Sequence, residues 1–181
     1  GMFKLFLPQR LTLRNNWKYP LKQLEYLLQI RKLRQKYPEC LVHYGQRGLI
    51  FEGEPGIGKT TILREYLNAK NEQFVEINLH NLDNANSLLE KAYHQGLIVI
   101  IDEINTLPLE GILNHFMLGR DTTNMSPRQE GFILLGTQNP VTYQHRIAAT
   151  AAWCNRFEII SVADYTCDDL FDIAINNLNY K

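Results

Sequence analysis

Short apolar runs alternate with longer amphipathic segments along most of the chain. The runs are rich in Ile, Val, Leu and Phe, which is the pattern of strands buried on both faces of a sheet. They are bounded by Gly, Asn and Asp, residues that favour turns. The pattern predicts five strands, at Leu49–Glu52, Phe74–Ile77, Leu97–Ile101, Phe132–Gly136 and Glu158–Val162.

The segments between these runs place apolar residues at helical spacing. They predict helices at Tyr19–Tyr37, Thr60–Asn68, Leu88–His94, Leu109–Leu118 and Ala148–Cys154, and a last helix that starts at Thr166. Pro38 is expected to end the first helix, and Thr166 and Asp169 form a capping-box pattern. Strands that alternate with helices predict an α/β fold, in which a parallel five-stranded sheet carries helices on both faces.

A glycine-rich turn separates the first predicted strand from the helix after it. The turn matches the pattern G-x-x-x-x-G-K-[ST] in full. We predict that the matching residues and the threonine after them bind phosphate: Gly53, Glu54, Pro55, Gly56, Ile57, Gly58, Lys59, Thr60 and Thr61. Glycine lets backbone N–H groups approach phosphate oxygens, and the following helix presents its positive end to them. Lys59 supplies a charge for the β and γ phosphates, and Thr60 offers its hydroxyl to Mg²⁺.

Two adjacent acids, Asp102 and Glu103, end the third predicted strand. Ligands bind at the carboxyl ends of parallel strands in this architecture. We expect Asp102 to hold Mg²⁺ through water, and Glu103 to orient and deprotonate the attacking water. A strand that simply ends in two solvated acids is the plainer interpretation, and the phosphate-binding turn favours the functional one.

Two further stretches offer polar groups near strand ends. Thr137 and Asn139 follow the fourth predicted strand and are able to hydrogen-bond a γ-phosphate or the attacking water, although an Asn-Pro turn explains them equally well. Arg156 precedes the fifth strand, where an arginine is normally a surface charge. It gains a role if subunits assemble so that it reaches a neighbour's γ-phosphate. Arg146 is a weaker second candidate for that role.

Charge is unevenly distributed, although the chain of 181 residues is neutral as a whole. Residues 1–48 hold ten Lys or Arg and two Glu, a balance of +8, and residues 49–181 hold nine Lys or Arg and seventeen Asp or Glu, a balance of −8. Such asymmetry can mark a nucleic-acid or membrane surface. It can equally dock the basic segment onto the acidic remainder or a neighbouring subunit. We favour docking or a plain solvated face, because no stripe of aromatic and basic residues indicates single-strand binding.

The remaining composition indicates a cytoplasmic protein with no membrane span. The apolar runs are far too short to cross a bilayer. Cys40, Cys154 and Cys167 lack the spacing of a disulfide pair or a metal site, which is typical of reduced thiols. The polar segment from Gly119 to Gly131 is the one candidate for a long mobile loop. It is either a surface connector or a contact with substrate or a neighbouring subunit.

The chemistry-bearing stretches, in this order, resemble the AAA+ ATPases, and most closely the branch that contains MoxR-type and dynein/midasin-related ATPases. "GEPGIGKT" resembles the Walker A motif and "IIDEIN" the Walker B motif. "LLGTQNP" is similar to the sensor-1 strand, with Asn139 as its asparagine, and "NRF" resembles the arginine-finger position, with Arg156. In some branches an asparagine after the second strand restrains the catalytic glutamate, and "FVEIN" places Asn78 there.

The resemblance covers about residues 45–180 and implies more than the residues show alone. It implies a P-loop NTPase fold with strand order 5-1-4-3-2 and ATP as the nucleotide. It also implies hydrolysis between the subunits of a homo-oligomeric ring that remodels a macromolecular client. We expect that client to be a protein rather than a nucleic acid. The resemblance divides the chain into a basic segment (1–44) with one helix, an ATPase core (45–163) and a final helix (164–181). That helix corresponds to the first helix of the lid that such modules carry.

Two alternatives stay open at the level of sequence. "GEPGIGKTTILREYL" also resembles the P-loop of NACHT-like signalling NTPases, in which bound nucleotide locks an assembly and turnover is slow. The acidic pair, "GTQNP" and "NRF" favour the AAA+ interpretation. The other alternative is a nucleic-acid-directed ATPase, which only the basic N-terminal segment supports.

Overall fold

The computed structural model describes residues 15–41, 46–78, 82–106, 108–141 and 157–179. In chain order, the helices are α1 (Asn15–Lys36), α2 (Pro38–Leu41), α3 (Lys59–Ala69), α4 (Leu82–Gln95), α5 (Glu110–Met117) and α6 (Cys167–Asn179), with a 3₁₀ turn at Ile104–Thr106. The strands are β1 (Gly48–Glu52), β2 (Phe74–Ile77), β3 (Ile98–Ile101), β4 (Ile133–Gln138) and β5 (Glu158–Ser161).

These five strands form one parallel sheet, in the order β2-β3-β4-β1-β5. The predicted α/β fold is therefore confirmed, together with the order 5-1-4-3-2 that the resemblance implied. In this order β4 lies between β1 and β3. The segments that follow β1, β3 and β4 consequently meet at the same carboxyl edge of the sheet, where ligands bind in open α/β folds.

The sheet has a hydrophobic core on each face, because successive side chains of a strand point to opposite sides. In β1, Leu49 and Phe51 face a core that includes α1 and α3, whereas Ile50 faces a second core that includes α4 and α5. All three side chains are at most 1% exposed. The central strands β1, β3 and β4 are thus buried on both faces, as their apolar composition predicted. The edge strands β2 and β5 are partly exposed.

Helix α1 packs onto the sheet and is also fastened to it by charged groups. Its apolar face enters the first core through Trp17, Leu21, Leu24, Leu27 and Leu28. Arg31 donates from Nε to the carbonyl of Gly131 (2.6 Å) and from Nη2 to that of Gly96 (2.9 Å), and it forms an ion pair with Glu72 at 3.5 Å. The described part of the basic segment is therefore docked onto the acidic remainder of the chain, which is one of the two expected uses of its charge.

Several element bounds differ from the sequence prediction. Helix α1 begins at Asn15 rather than Tyr19, α4 spans Leu82–Gln95 rather than Leu88–His94, and Pro38 starts the short helix α2 instead of ending all helical structure. Apolar spacing alone underestimates a helix whose first turn is polar, since polar ends carry no periodic signal. The helix predicted at Ala148–Cys154 lies outside the described residues.

The predicted capping box at the start of α6 is confirmed. The amide of Thr166 donates to Asp169 Oδ2 at 3.0 Å, and the amide of Asp169 donates to Thr166 Oγ1 at 3.1 Å. The bonds satisfy two amides at the helix end. On this helix Cys167 is a free, exposed thiol. No helix among the described residues has the length and apolar character that crossing a bilayer requires.

The segment from Gly119 to Gly131 is tied to the body of the protein at both ends. Asp121 Oδ1 accepts bonds from the amides of Thr123 and Met125 and from the Thr123 hydroxyl, each at 2.8 Å. His94 Nδ1 accepts the amide proton of Arg128, so its Nε2 carries the ring proton and donates to Asp121 Oδ2 at 2.9 Å. The segment is therefore a fastened surface connector in this structure, and contact with a neighbouring subunit stays a prediction.

Candidate nucleotide-binding site

The turn between β1 and α3 has a backbone that two of its glycines make possible. Gly56 has φ 84° and Gly58 has φ 73°, both in the left-handed region that side chains disfavour. Space is no obstacle at either position, since a Cβ would meet nothing within 4 Å. Gly53 is required for the opposite reason, because a Cβ there would lie 2.6 Å from Ile57 Cδ1 and 2.8 Å from the carbonyl of Val162.

The N-terminus of α3 faces this turn and has no side-chain cap. Gly58 occupies the N-cap position, and the first intrahelical bond runs from the Ile62 amide to the Gly58 carbonyl at 2.9 Å. The amides of Lys59, Thr60 and Thr61 precede that bond, so they are the donors that a helix N-terminus offers to an anion. Together with the positive end of the helix dipole, they form an anion-binding position suited to phosphate.

Lys59 has a buried side chain, 8% exposed, whose ammonium group joins the turn to β4. Nζ donates to the carbonyls of Gly53 (2.8 Å) and Glu54 (3.0 Å) and to Asn139 Oδ1 (3.1 Å). An ammonium group has three donors, so these three acceptors satisfy it. The two carbonyls hold the stem of the turn, and the bond to Asn139 is the one that a phosphate oxygen can share or replace.

A cluster of oxygens lies beside Lys59, where β3 ends. Asp102 Oδ1 accepts from the hydroxyl of Thr60 at 2.7 Å and from the hydroxyl of Thr137 at 2.5 Å. Within the described chain, Asp102 Oδ2 has no donor. Carboxylate and hydroxyl oxygens are the ligands that Mg²⁺ prefers, and Mg²⁺ keeps several of its waters. Thr60 and Asp102 therefore fit the metal-binding roles that the sequence assigned to them.

Glu103 has a backbone conformation that is rare for its residue type, with φ 51°. Its amide donates to Thr137 Oγ1 at 3.3 Å, and its carbonyl accepts from the amide (3.1 Å) and hydroxyl (2.8 Å) of Thr106. A left-handed residue other than glycine costs about 1–2 kcal/mol, and strain of this kind clusters at functional sites. In this strained turn Glu103 is exposed and lines the same cavity as Asp102.

Asn139 follows β4 and is 7% exposed. Its Oδ1 accepts from Lys59, and its carbonyl accepts from Asn105 Nδ2 at 2.9 Å. Its Nδ2 donor has no acceptor among the residues that the structure describes. This orientation leaves an N–H group at the cavity that can donate to a phosphate oxygen or to a water.

These groups line one cavity of about 240 Å³ at the carboxyl edge of the sheet. It brings together most of the site residues predicted from the sequence, with Gln138 of β4 in addition. The lining residues are Pro55, Gly56, Gly58, Lys59, Thr60, Thr61, Asp102, Glu103, Thr137, Gln138 and Asn139. Gly53, Glu54 and Ile57, which we also predicted to bind the nucleotide, are not among them. They shape the turn through the Lys59 bonds and through the Ile57 carbonyl, which accepts from Tyr165 Oη at 3.1 Å.

Three predicted residues lie away from this cavity or beyond the described chain. Asn78 follows Ile77, which pairs with Ile101, so it lies next to the turn that carries Asp102 and Glu103. It does not line the cavity. Arg156 and Arg146 fall in residues that the structure does not describe. The roles of all three stay predictions.

Three residues for which the sequence predicted no role also support the site: Asn105, Gln138 and Tyr165. Asn105 supports the Asn139 carbonyl, and Gln138 Nε2 donates to Glu52 Oε2 at 2.6 Å, which joins the ends of β4 and β1. Asn105 lies two residues after the acidic pair and Gln138 two residues after the predicted end of the fourth strand, and these positions were the available signal for those two. The partners of these side chains become visible only once the strand order is known.

Comparison with known proteins agrees with this geometry. Residues 49–165 match the family described as "ATPase family associated with various cellular activities (AAA)". A curated relative, midasin of Giardia intestinalis, is 35% identical over 91 residues, which are 45% of this chain and 2% of that protein. The chain thus spans only a small part of that relative. The match agrees with the midasin-related resemblance, and the MoxR-type branch stays a prediction.

Solved structures show the same fold at lower identity. The AAA domain of FIGL-1 is 23% identical with a TM-score of 0.54, over 85% of this chain and 56% of that one. The same domain in complex with ADP has a TM-score of 0.55 at 22% identity, over 88% and 58%. PCH-2 of C. elegans has a TM-score of 0.57 at 18% identity, over 88% and 46%.

Proposed function

Because the chain belongs to the AAA family of ATPases, we propose that it binds Mg-ATP in the cavity between the glycine-rich turn, β3 and β4, and hydrolyses it. One observation carries the proposal. Lys59, Thr60, Asp102, Glu103 and Asn139 come from three separate segments of the chain and line one cavity. A cation, a metal-binding pair, a carboxylate base and an amide donor are the groups that phosphoryl transfer to water requires.

Each group has a stated role in this proposal. The amides at the start of α3 and the Lys59 ammonium bind the phosphate oxygens. Thr60 and Asp102 would hold Mg²⁺, and the ion would supply positive charge that neutralises the phosphates. Glu103 accepts the proton of the attacking water. Asn139 donates from Nδ2 to that water or to the γ-phosphate.

We also propose how the subunits assemble and what hydrolysis does. Subunits form a homo-oligomeric ring in which Arg156 of one subunit reaches the γ-phosphate bound by its neighbour, and Asn78 restrains Glu103. Hydrolysis then moves a protein client. The support is the resemblance of "NRF" and "FVEIN" to the corresponding family motifs, and the exposed position of Asn78 beside the Asp102–Glu103 turn.

An ATPase differs from a nucleotide-dependent switch in the role of Glu103, which acts as a general base only in the ATPase. A switch requires tight binding and little turnover, so the nucleotide would stay intact in wild type and in a Glu103 variant alike. The strained backbone of Glu103 favours a catalytic role, because strain persists where a precise geometry is used. The nucleic-acid-directed alternative has lost part of its support, since Arg31 and Lys32 of the basic segment pair with Glu72.

The test compares phosphate release from Mg-ATP with nucleotide binding in the Glu103→Gln variant. The variant keeps the shape of the side chain and one acceptor oxygen but cannot accept a proton. We expect unchanged ATP affinity and a turnover lower by about 10²- to 10⁴-fold, the usual contribution of a general base. Glu25→Gln, an exposed glutamate of α1, is the matched control. Full turnover in Glu103→Gln would assign the base to another residue.

A further inference from the structure

Thr137 has a buried hydroxyl that contacts both the glycine-rich turn and the acidic pair. It lies near the end of β4, pairs with Phe51 of β1, and is 0% exposed. Its Oγ1 lies 2.5 Å from Asp102 Oδ1. The same atom lies 3.3 Å from the amide nitrogen of Glu103 and 3.3 Å from Thr60 Oγ1.

The protons of this cluster can be assigned from the chemistry of its members. An ionised carboxylate only accepts, so both hydroxyls direct their single protons to Asp102 Oδ1. The Glu103 amide then donates to a lone pair of Thr137 Oγ1. The 3.3 Å contact between the two hydroxyls carries no proton of its own in this arrangement. The proton of Thr137 is therefore committed to Asp102 and is not available to a phosphate.

This assignment has two consequences for the proposed chemistry. Two donors on Oδ1 fix the orientation of the Asp102 carboxylate, so that Oδ2 would be the atom that holds Mg²⁺ through water. The bond to the Glu103 amide, opposite the Thr106 bonds to its carbonyl, holds the left-handed turn from which the Glu103 side chain projects. One oxygen atom thus orients both the metal-binding acid and the backbone of the base.

We propose that Thr137 is a positioning residue of the ATPase site, whose hydroxyl sets the carboxylate of Asp102 for Mg²⁺ and the backbone of Glu103 for the attacking water. The inference rests on the proposed function. It assigns Thr137 a role distinct from the phosphate or water contact that the sequence suggested for it. It also explains why a polar residue occupies a strand that is otherwise apolar as far as Gly136.

The test uses a pair of variants that separate the hydroxyl from the shape of the side chain. Thr137→Val keeps the volume and the β-branch but removes the hydroxyl, whereas Thr137→Ser keeps the hydroxyl. Outer-shell partners of metal ligands typically contribute 10- to 100-fold to metal affinity or activity. For Thr137→Val we expect kcat lower by about 10- to 100-fold and a similar rise in the Mg²⁺ concentration that half-saturates nucleotide binding. Affinity for a fluorescent ADP measured without Mg²⁺ should stay within about twofold, because Lys59 and the α3 amides are unaffected.

Thr137→Ser should restore both quantities to within about threefold of wild type, because the bonds to Asp102 and Glu103 are retained. The inference is overturned if Thr137→Val keeps the wild-type Mg²⁺ dependence and kcat, or if Thr137→Ser loses as much as Thr137→Val. The Mg²⁺ dependence of nucleotide binding can be measured whether or not the protein hydrolyses ATP. A wild type that binds Mg-nucleotide but does not hydrolyse it would overturn the hydrolytic proposal, and the titration would still decide the role of Thr137 toward Asp102. A wild type without Mg²⁺-dependent nucleotide binding would overturn both.

Discussion

The ammonium of Lys59 lies 3.1 Å from Asn139 Oδ1, so the glycine-rich turn and the fourth strand are joined directly across the cavity. Lys59 also donates to two carbonyls of its own turn. The lysine therefore has a structural role in addition to its expected role toward phosphate. Removing it affects both the electrostatics of the cavity and the link between two of its walls.

Lys59→Ala should lower the affinity for ATP by at least about 10- to 100-fold, since a hydrogen bond to a charged group contributes about 1.5–3 kcal/mol. Equilibrium titration with a fluorescent ATP analogue measures this directly. Lys91→Ala removes an exposed lysine of α4 and serves as the control. Unchanged affinity in Lys59→Ala, with a folded protein, would remove the phosphate-binding assignment.

Mixing two inactive variants should restore turnover if Arg156 acts on a neighbouring subunit. Arg156→Ala and Glu103→Gln each lack one half of a complete site. In an equal mixture, about a quarter of the head-to-tail contacts of a ring pair an intact Glu103 with an intact Arg156. We expect phosphate release to rise toward that fraction of the wild-type rate after subunit exchange. If the mixture stays as inactive as its components, Arg156 does not act between subunits.

Glu130→Gln should strongly destabilise the fold. Glu130 lies 3.2 Å from Arg47 and 3.9 Å from Arg34, and these arginines are 3% and 0% exposed. Burial, and then the charge of Arg47, lowers the pKa of Arg34 to about 10, while Glu130 opposes the shift. Without the carboxylate, two buried guanidinium groups that repel each other lose the anion they share.

Breaking a buried ion pair in this way costs about 3–5 kcal/mol. Urea unfolding followed by circular dichroism measures the loss. Glu90→Gln, on the exposed side of α4, should change the free energy of unfolding by less than about 0.5 kcal/mol. Equal midpoints for the two variants would contradict the structural role given to Glu130.

The ionised carboxylate of Asp121 should stabilise the fold near neutral pH, and this stabilisation should be lost in acid. The amide of Met125 lowers the pKa of its carboxyl well below the ordinary value of 3.8, with further bonds from Thr123 and His94 acting in the same direction. A carboxyl whose pKa is lower in the folded state stabilises the fold above its unfolded pKa, and this contribution is lost as the pH falls toward the folded value.

The measurement is the thermal midpoint of wild type and Asp121→Asn between pH 3 and pH 7. We expect wild type to be more stable near neutrality and the gap to narrow once the pH falls below about 4. A gap that is constant over the whole range would show that the charge of Asp121 does not contribute to stability.

Much of the fold was predictable because the strands carry strong local signals. Apolar runs such as Ile98–Ile101 cannot be exposed, and the turn residues around them fix where each ends. The parallel arrangement followed from their alternation with helices. The order of the strands came from the resemblance alone, because nothing local in a sequence specifies which strands pair.

The site was predictable to the extent that its residues lie next to each other in the chain. Lys59, Thr60 and the acidic pair were found from their own motifs. The bonds from Thr137 to Asp102 and Glu103 were not, because they depend on the pairing of β3 with β4, in which Ile101 lies beside Gly136. The link between Arg47 and Glu130 was missed for the same reason, since 83 residues separate them.

The most direct test of the central claim is the rate of Mg-ATP turnover per subunit as a function of protein concentration, with Lys59→Ala as the blank. The proposed function predicts a rate well above the blank that climbs with concentration and reaches a plateau as subunits complete one another's sites. A rate that does not exceed the blank at any concentration would contradict hydrolysis at this cavity. A measurable rate that is independent of concentration would contradict the proposed sharing of the site between subunits.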